Sequence, residues 1–232
     1  MNSSDYFRHE YKYYINHNEY INLRNRLKAF LKHDSFADSQ GNYHVRSLYF
    51  DDIHNSSLYE KNYGISERER YRIRIYNLAD QPIKLERKER RGDFFRKRSR
   101  VLTRNEYQGI THNNMHTMQF NQNLLGEFCR KSLTGILRPK VIVDYLREAF
   151  VMDGTAVRIT FDKHLTAGFD STDIFNENLV ALRALDKSLV IMEIKFRHFF
   201  PGHLSDLLRM PAHNRWAISK YVLCRTSNTK LY

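Results

Sequence analysis

The sequence predicts an α+β fold, an antiparallel β-barrel or tunnel of about eight strands with helices packed outside it. In segment after segment, charged residues recur at every second position, which is the period of a β-strand. Nearly every predicted strand is apolar on one side and basic on the other. Aromatic residues make up 13% of the chain, and they favour strands. If the sheet closes, the basic faces could all point inward.

The elements of the first quarter follow from local patterns. Asn16 or Asn18 can cap a helix whose apolar residues recur at helical spacing, and Gly41-Asn42 provides a turn. The predicted order is a strand over Phe7–Ile15, a helix over about Glu19–Leu31, a strand over Tyr43–Phe50 and a loop or short helix around Ser56–Tyr63.

Three consecutive strands are predicted between Glu69 and Leu102, each with a row of charged residues on one side. The rows are Arg70, Arg72 and Arg74, then Lys84, Glu86, Lys88 and Arg90, and finally Arg96, Arg98 and Arg100. Residues 69 to 100 hold 12 Lys or Arg and 5 Asp or Glu, which is +7 of the chain's net +12. More than half of the excess charge therefore lies in about a seventh of the sequence.

This concentration of charge has two interpretations. The rows are either a solvated sheet face, where water and salt screen the repulsion, or a binding face for a polyanion. Like charges opposite each other on paired strands cost roughly 0.2–1 kcal/mol per pair. Arginine forms bidentate contacts with phosphate, and the preference for arginine together with the embedded Glu86 favours a polyanion receptor.

The second half of the chain continues with short elements. Thr103 can cap a short helix through Gly109, and His112–Gln122 has the composition of a loop. The remaining elements are a helix over Leu124–Leu133 ended by Gly135, a hairpin of Lys140–Phe150 and Ala156–Lys163, a strand over Ser188–Phe196, and helices near Leu204–Met210 and over Trp216–Cys224.

Length and composition bound the molecule. With 232 residues and no Pro-, Gly- or Ser-rich linker, the chain is predicted to form a single domain over residues 1–232. No apolar run approaches the length of a membrane span and no signal-peptide core is present, which predicts a cytoplasmic protein. Cys129 and Cys224 form neither a disulfide framework nor a zinc-ligand pattern. The pI near 9.7 indicates an acidic partner without choosing among nucleic acid, an anionic membrane and phosphate chains.

Several kinds of chemistry are excluded by missing motifs. The chain has no Gly-x4-Gly-Lys-Ser/Thr loop, dinucleotide fingerprint, kinase signature, Gly-x-Ser-x-Gly or His-Glu-x-x-His. What remains is a phosphate-binding face at which a carboxylate such as Glu193 holds a divalent cation while Arg and Lys neutralise phosphate oxygens. Glu10, Glu86 and Glu193 each precede a lysine by two residues, at Lys12, Lys88 and Lys195.

Ten short motifs lie in order over almost the whole chain. They are Arg8-His9-Glu10-Tyr11-Lys12, Ser47-Leu48-Tyr49-Phe50-Asp51, Tyr59-Glu60-Lys61-Asn62, Arg70-Tyr71-Arg72-Ile73-Arg74, Leu85-Glu86-Arg87-Lys88, Arg138-Pro139, Tyr145-Leu146-Arg147, Val157-Arg158-Ile159-Thr160-Phe161-Asp162, Met192-Glu193-Ile194-Lys195 and Ser219-Lys220-Tyr221. Through them the chain resembles the triphosphate tunnel metalloenzyme (CYTH-like) superfamily, and within it the VTC or polyphosphate polymerase domain.

The resemblance implies a triphosphate tunnel fold that binds ATP and polyphosphate or triphosphate, with Mn²⁺ or Mg²⁺ as cofactor. It implies metal ligands at Glu193, Glu10 and Glu86. The implied catalytic cations are Arg72, Arg74, Lys88, Lys195 and Lys220. Further phosphate ligands are implied at Arg8, Lys12, Arg70, Arg96, Arg98, Arg147 and Arg158.

The chain departs from the family pattern at three positions. Arg8 replaces the first acid of the Glu-x-Glu-x-Lys motif of hydrolase and cyclase members, which favours the polymerase branch. Arg96 stands where polymerases tend to carry a lysine, and Ala217 stands where some members have another base.

Three hypotheses for function follow. The first is an ATP-dependent polyphosphate polymerase. The second is a non-catalytic receptor for polyphosphate or phosphorylated partners, which the departures at Arg96 and Ala217 favour. The third, a nucleic-acid-binding protein, is disfavoured because embedded glutamates would repel a phosphate backbone in the absence of metal, so we expect no specific nucleic-acid partner. Oligomeric state, and whether a membrane protein collects the product, stay open at this point.

Overall fold

The computed structural model of the protein describes residues 9–91, 94–112, 114–115, 123–134, 136–197, 199–208 and 214–229. The strands are β1 (His9–Asn16), β2 (Lys32–His33), β3 (Asn42–Asp51), β4 (Arg68–Tyr76), β5 (Ile83–Arg91), β6 (Phe94–Leu102), β7 (Arg138–Val151), β8 (Arg158–Gly168), β9 (Ala181–Arg183) and β10 (Leu189–Phe196). The helices are α1 (His17–Lys28), α2 (Ser56–Asn62), α3 (Arg104–Thr111), α4 (Leu124–Leu133), α5 (Gly202–Leu207) and α6 (Lys220–Thr229).

Two helices begin at the residues that the sequence indicates. The Asn16 side chain accepts a hydrogen bond from the Glu19 backbone N–H at 2.9 Å, and the Glu19 carboxylate accepts one from the Asn16 N–H at 2.8 Å. Thr103 and Glu106 form the same capping box at α3. Each box satisfies N–H groups that have no partner within the helix, which fixes where the helix starts.

The strands form one antiparallel sheet with the path β1-β10-β8-β7-β3-β4-β5-β6, and the short strands β2 and β9 pair with β7 and β8. This confirms the predicted α+β fold with its antiparallel sheet. Within the described ranges, β1 and β6 are the ends of the path and share no ladder. The sheet is therefore not closed by backbone hydrogen bonds, in contrast to a complete barrel.

One face of the sheet, here called the outer face, is covered by the helices α1, α3, α4 and α5. Its apolar side chains form two cores beneath these helices, as the amphipathic strands predict. One core packs α1 and α5 against β1, β8 and β10, with Leu27, Phe161 and Met192 completely buried. The other packs α3 and α4 against β3, β4 and β5, with Ile73, Leu85 and Phe128 completely buried. Burying the apolar side of each strand leaves its polar side for the opposite face of the sheet.

Helix α6 lies on that opposite face, contrary to the prediction that the helices pack outside. Ile218, Tyr221 and Cys224 pack against Val141 and Val143 there. The strands β3 and β7 carry an apolar patch on their inner sides, which gives this helix a surface to bury. The helix also starts later than the predicted Trp216, at Lys220.

The helices of the described ranges include none that is both long and apolar enough to cross a lipid bilayer.

Candidate functional site

The face that carries α6 also carries the charged rows of β4 and β5. Arg70 lies opposite Lys88, and Arg72 lies opposite Glu86 in the antiparallel register. The row continues onto β6, where Lys97 lies opposite Lys88. The predicted alternation on β4 and β5 is therefore the alternation that the structure displays.

The strands at the other end of the sheet carry a second set of charged residues on the same face. Glu10 of β1 lies opposite Lys195 of β10, and Lys12 lies opposite Glu193. Lys195 in turn lies opposite Arg158 of β8. The register thus continues the charged row across three strands that are far apart in sequence.

A salt bridge shows that the two ends of the sheet curl toward each other. Lys88 Nζ of β5 lies 3.1 Å from Glu10 Oε2 of β1, although β5 and β1 stand near opposite ends of the sheet path. The charged side chains therefore converge on one concave face. We call this set the basin: Glu10, Lys12, Arg70, Arg72, Arg74, Lys84, Glu86, Lys88, Lys97, Arg147, Arg158, Asp162, Glu193, Lys195 and Lys220.

The basin has a large excess of positive charge. Of its fifteen residues, eleven are Lys or Arg and four are Asp or Glu. Cations held this close together repel one another, and burial strengthens the repulsion. Burial lowers the pKa of Lys195 to about 8, even though Glu193 and Glu10 oppose the effect. An anionic ligand with several charges would relieve this repulsion.

Strand β6 contributes a different residue from the ones predicted. Arg96 and Arg98 lie opposite Glu89 and Arg87, on the outer face, while Lys97 points into the basin and forms an ion pair with Glu86. The Arg98 guanidinium instead lies 2.8 Å from Glu127 of α4. The expected facing of Arg96 and Arg98 is therefore wrong by one residue, and a lysine does occupy the basin position on this strand.

The side chains of Arg72 and Arg74 are held in fixed positions. Arg72 Nε donates to Glu86 Oε2 at 2.6 Å, and its Nη1 donates to the Tyr49 hydroxyl at 2.8 Å. Arg74 Nε donates to Ser47 Oγ at 3.1 Å. Burial raises the pKa of Glu86, but Arg72, Arg74 and Lys97 outweigh it and hold the pKa well below the ordinary range. Glu86 is thus an ionised anchor for the arginines.

A second anchored group joins the predicted Arg147 and Lys220 to Asp162, a site residue that sequence reasoning missed. Its completely buried carboxylate accepts two hydrogen bonds from Arg147, at 2.6 and 2.8 Å, and lies 2.5 Å from Lys220 Nζ. Burial opposes ionisation, but Arg147 and Lys220 lower the pKa of Asp162 to about 2. The signal in the sequence was its place in the same row as Arg158, two strand periods further along.

Two of the three predicted metal ligands lie close together. Glu10 of β1 and Glu193 of β10 stand diagonally to each other on paired strands, and each forms an ion pair with the lysine two residues later, at 2.7 Å for Glu10 and Lys12 and 2.7 Å for Glu193 and Lys195. Burial and the Glu193 carboxylate raise the pKa of Glu10, but the surrounding lysines outweigh them and lower it to about 2. Both carboxylates are therefore ionised at neutral pH.

The donor set tests which metal the site fits. No cluster of three or more His, Cys, Asp or Glu side chains suited to a metal occurs in the described part of the chain. Mg²⁺, however, is commonly held by one or two carboxylates together with substrate phosphates and water. Glu10 and Glu193 fit such a substrate-borne ion once it displaces the lysines paired with them, and Glu86 is paired in the same way with Arg72 and Lys97 elsewhere in the basin.

The remaining predicted ligands lie at the edges of the basin or outside the described ranges. Arg158 donates to the Tyr43 hydroxyl at 2.7 Å and forms an ion pair with Asp34. Arg70 donates to Ser219 Oγ at 3.0 Å, beside the start of α6. Arg8 lies outside the described residues.

A comparison with protein families decides the chain's relationship. The profile of the VTC domain family matches residues 7–228, which is nearly the whole sequence. The chain belongs to the VTC domain family. No curated protein sequence matches this VTC domain significantly.

Two solved structures are similar to this VTC domain at low sequence identity. A candidate adenylate cyclase from Bacillus halodurans is 12% identical with a TM-score of 0.50, over 88% of this chain and 87% of that one. A candidate adenylate cyclase from Vibrio parahaemolyticus is 14% identical with a TM-score of 0.46, over 87% and 82% of the two chains. The first likeness supports the triphosphate tunnel fold, and at such identity it carries no information on activity.

Proposed function

We propose that this VTC domain is a metal-dependent polyphosphate polymerase, which transfers the γ-phosphoryl group of ATP to a polyphosphate chain held in the basin. The observation that carries the proposal is the convergence of eleven cationic side chains on one concave face around ionised carboxylates. A chain of phosphates has the charge density that such a face requires. A cytoplasmic location, where ATP is available, is part of the proposal.

The proposed reaction needs no nucleophile from the protein. A terminal oxygen of polyphosphate attacks the γ-phosphorus of ATP, the bond from that phosphorus to the β,γ-bridging oxygen breaks, and ADP leaves while the chain grows by one phosphate. Most of the catalysis in such a transfer is positioning and charge stabilisation. Arg72 and Arg74 are preorganised for that role because Glu86, Tyr49 and Ser47 hold their side chains.

Glu193 and Glu10 would hold a divalent ion together with the substrate, and this ion would supply positive charge that offsets the negative charge of the transferred group. The lysines beside these carboxylates, Lys12 and Lys195, keep both ionised. They would also neutralise oxygens of the bound phosphates.

The proposal predicts that the purified protein converts ATP to ADP and long-chain phosphate in the presence of Mn²⁺ or Mg²⁺. Glu193→Gln is expected to lower turnover by on the order of 100-fold or more, since one preorganised charge is lost from the site. Tripolyphosphate affinity should stay within a few-fold of the parent value. Product analysis by gel and a coupled ADP assay measure the first effect, and calorimetry measures the second.

Glu127→Gln is the matched control, because Glu127 pairs with Arg98 on the outer face. It should turn over ATP at the parent rate. Absence of ADP and polyphosphate across metals, with and without a short polyphosphate primer, would refute the polymerase.

A second candidate is a triphosphate-binding module without turnover. It is favoured by the ion pairs through which lysine and arginine neutralise Glu10 and Glu193 within the basin itself. It predicts tight tripolyphosphate binding that yields no product and is insensitive to Glu193→Gln.

A further inference from the structure

Three aromatic side chains cluster where the basin meets the loop between α1 and β3. The Phe36 and Tyr76 rings are stacked, with centroids 5.7 Å apart and planes 10° from parallel. Tyr43 lies 6.1 Å from Tyr76 and 6.4 Å from Phe36. Tyr43 is buried and Tyr76 packs partly buried against the same core, whereas half of the Phe36 surface is exposed, so Phe36 is the member of the cluster that a ligand can reach.

Cations of the basin border this cluster directly. Lys84 Nζ lies 5.9 Å from the centroid of Phe36 and 5.4 Å from that of Tyr76. Arg158 donates to the Tyr43 hydroxyl at 2.7 Å. Burial raises the pKa of Tyr76, but the neighbouring Arg74 outweighs it and lowers the pKa. If a ligand stacked on these rings, its phosphates would therefore lie within reach of cations such as Lys84.

A ligand that matches both features combines a planar π-system with a chain of phosphates. A polyphosphate chain has no planar group, whereas a nucleoside triphosphate carries one at its end. Aromatic side chains bind bases through stacking, which tolerates any base because every base has a π-face. A cation beside the rings strengthens such a site, since it can bind the first phosphate while it lies over a ring.

We propose that Phe36 and Tyr76 form the nucleobase subsite of this protein, with the base stacked on the exposed face of Phe36, Lys84 beside the α-phosphate and the phosphate tail directed into the basin. This rests on the proposed function, because it assigns an end of the basin to the ATP donor. The subsite distinguishes the donor from polyphosphate, which binds the same cations without using the rings.

The test compares ATP with tripolyphosphate, which lacks the base, by calorimetry on the full chain without turnover. Phe36→Ala is expected to weaken ATP binding by about 10-fold and to leave tripolyphosphate binding within about twofold. Phe36→Trp, which keeps a stacking surface, should restore ATP affinity. Phe30→Ala is the matched control, because Phe30 is more exposed than Phe36 and follows α1 rather than facing the basin.

Equal effects of Phe36→Ala on both ligands, or no effect on either, would overturn the subsite, as would a parent protein that binds tripolyphosphate but not ATP. Failure of the polymerase proposal gives a different result. In that case ATP binds and depends on Phe36, but no polyphosphate forms.

Discussion

Replacement of both Arg72 and Arg74 by alanine is expected to abolish the rise in melting temperature that tripolyphosphate gives the parent protein. At a ligand concentration of about 100 Kd, linkage adds about 2.7 kcal/mol to the free energy of unfolding. For a chain of this size that corresponds to a rise of roughly 5–10 °C in Tm. Both guanidinium groups lie mostly buried in the basin beside Glu86, so their loss removes two phosphate contacts together. Differential scanning fluorimetry with and without tripolyphosphate measures the effect.

The matched control replaces Arg96 and Arg98 by alanine. These two substitutions remove the same charge from the neighbouring strand β6, but Arg96 and Arg98 lie on the outer face of the sheet. The control should keep the full tripolyphosphate shift at low salt. If both double variants lose the shift equally, or if the Arg72 and Arg74 variant keeps it, the basin is not the binding face. The melting temperature without ligand checks that each variant folds; Glu86 retains Lys97 as a partner in the first variant.

Asp162→Ala is expected to be the most destabilising single change in the basin. The completely buried carboxylate is the partner of both Arg147 and Lys220, which would be left as buried charges. Removing one member of a buried ion pair costs about 3–5 kcal/mol. Urea denaturation at neutral pH measures the loss in the free energy of unfolding. Asp153→Ala, at an exposed pair with Lys32, should leave the free energy of unfolding nearly unchanged.

The same carboxylate predicts how stability depends on pH. The pKa of Asp162 is about 2 in the folded protein against an ordinary value of 3.8. A depressed pKa contributes stability that is fully present above the ordinary value and is lost as pH falls through the folded value. Between about pH 4 and pH 2 the parent should therefore lose about 2 kcal/mol that Asp162→Asn never had. An Asp162→Asn variant with the parent's slope over this range, or an Asp162→Ala variant of parent stability, would contradict the assigned role.

The rows of β4 and β5 could be predicted because apolar residues alternate with the charged ones, at Tyr71, Ile73 and Ile75 in β4 and at Ile83 and Leu85 in β5. Arg70, Arg72 and Arg74 alternate with apolar residues that must be buried, so a shift by one residue would expose the core. Strand β6 has three consecutive basic residues, Arg96, Lys97 and Arg98, so either face of this strand would carry positive charge. No pattern of hydrophobicity there fixes which set faces inward, and the pairing of Lys97 with Lys88 decides it.

The sequence by itself determined the eight strands of the sheet path, the helix caps and the alternation that gives most of the sheet one basic and one apolar side, but not the short strands β2 and β9. These features depend on neighbours within a few residues, where the strand and helix periods act. Only the tertiary structure decided that Lys88 meets Glu10, that α6 packs against the basic side and that Phe36 stacks on Tyr76 at its edge. Such contacts join residues far apart in the chain, and the curl of the sheet and the register between strands set them, which local periodicity cannot specify.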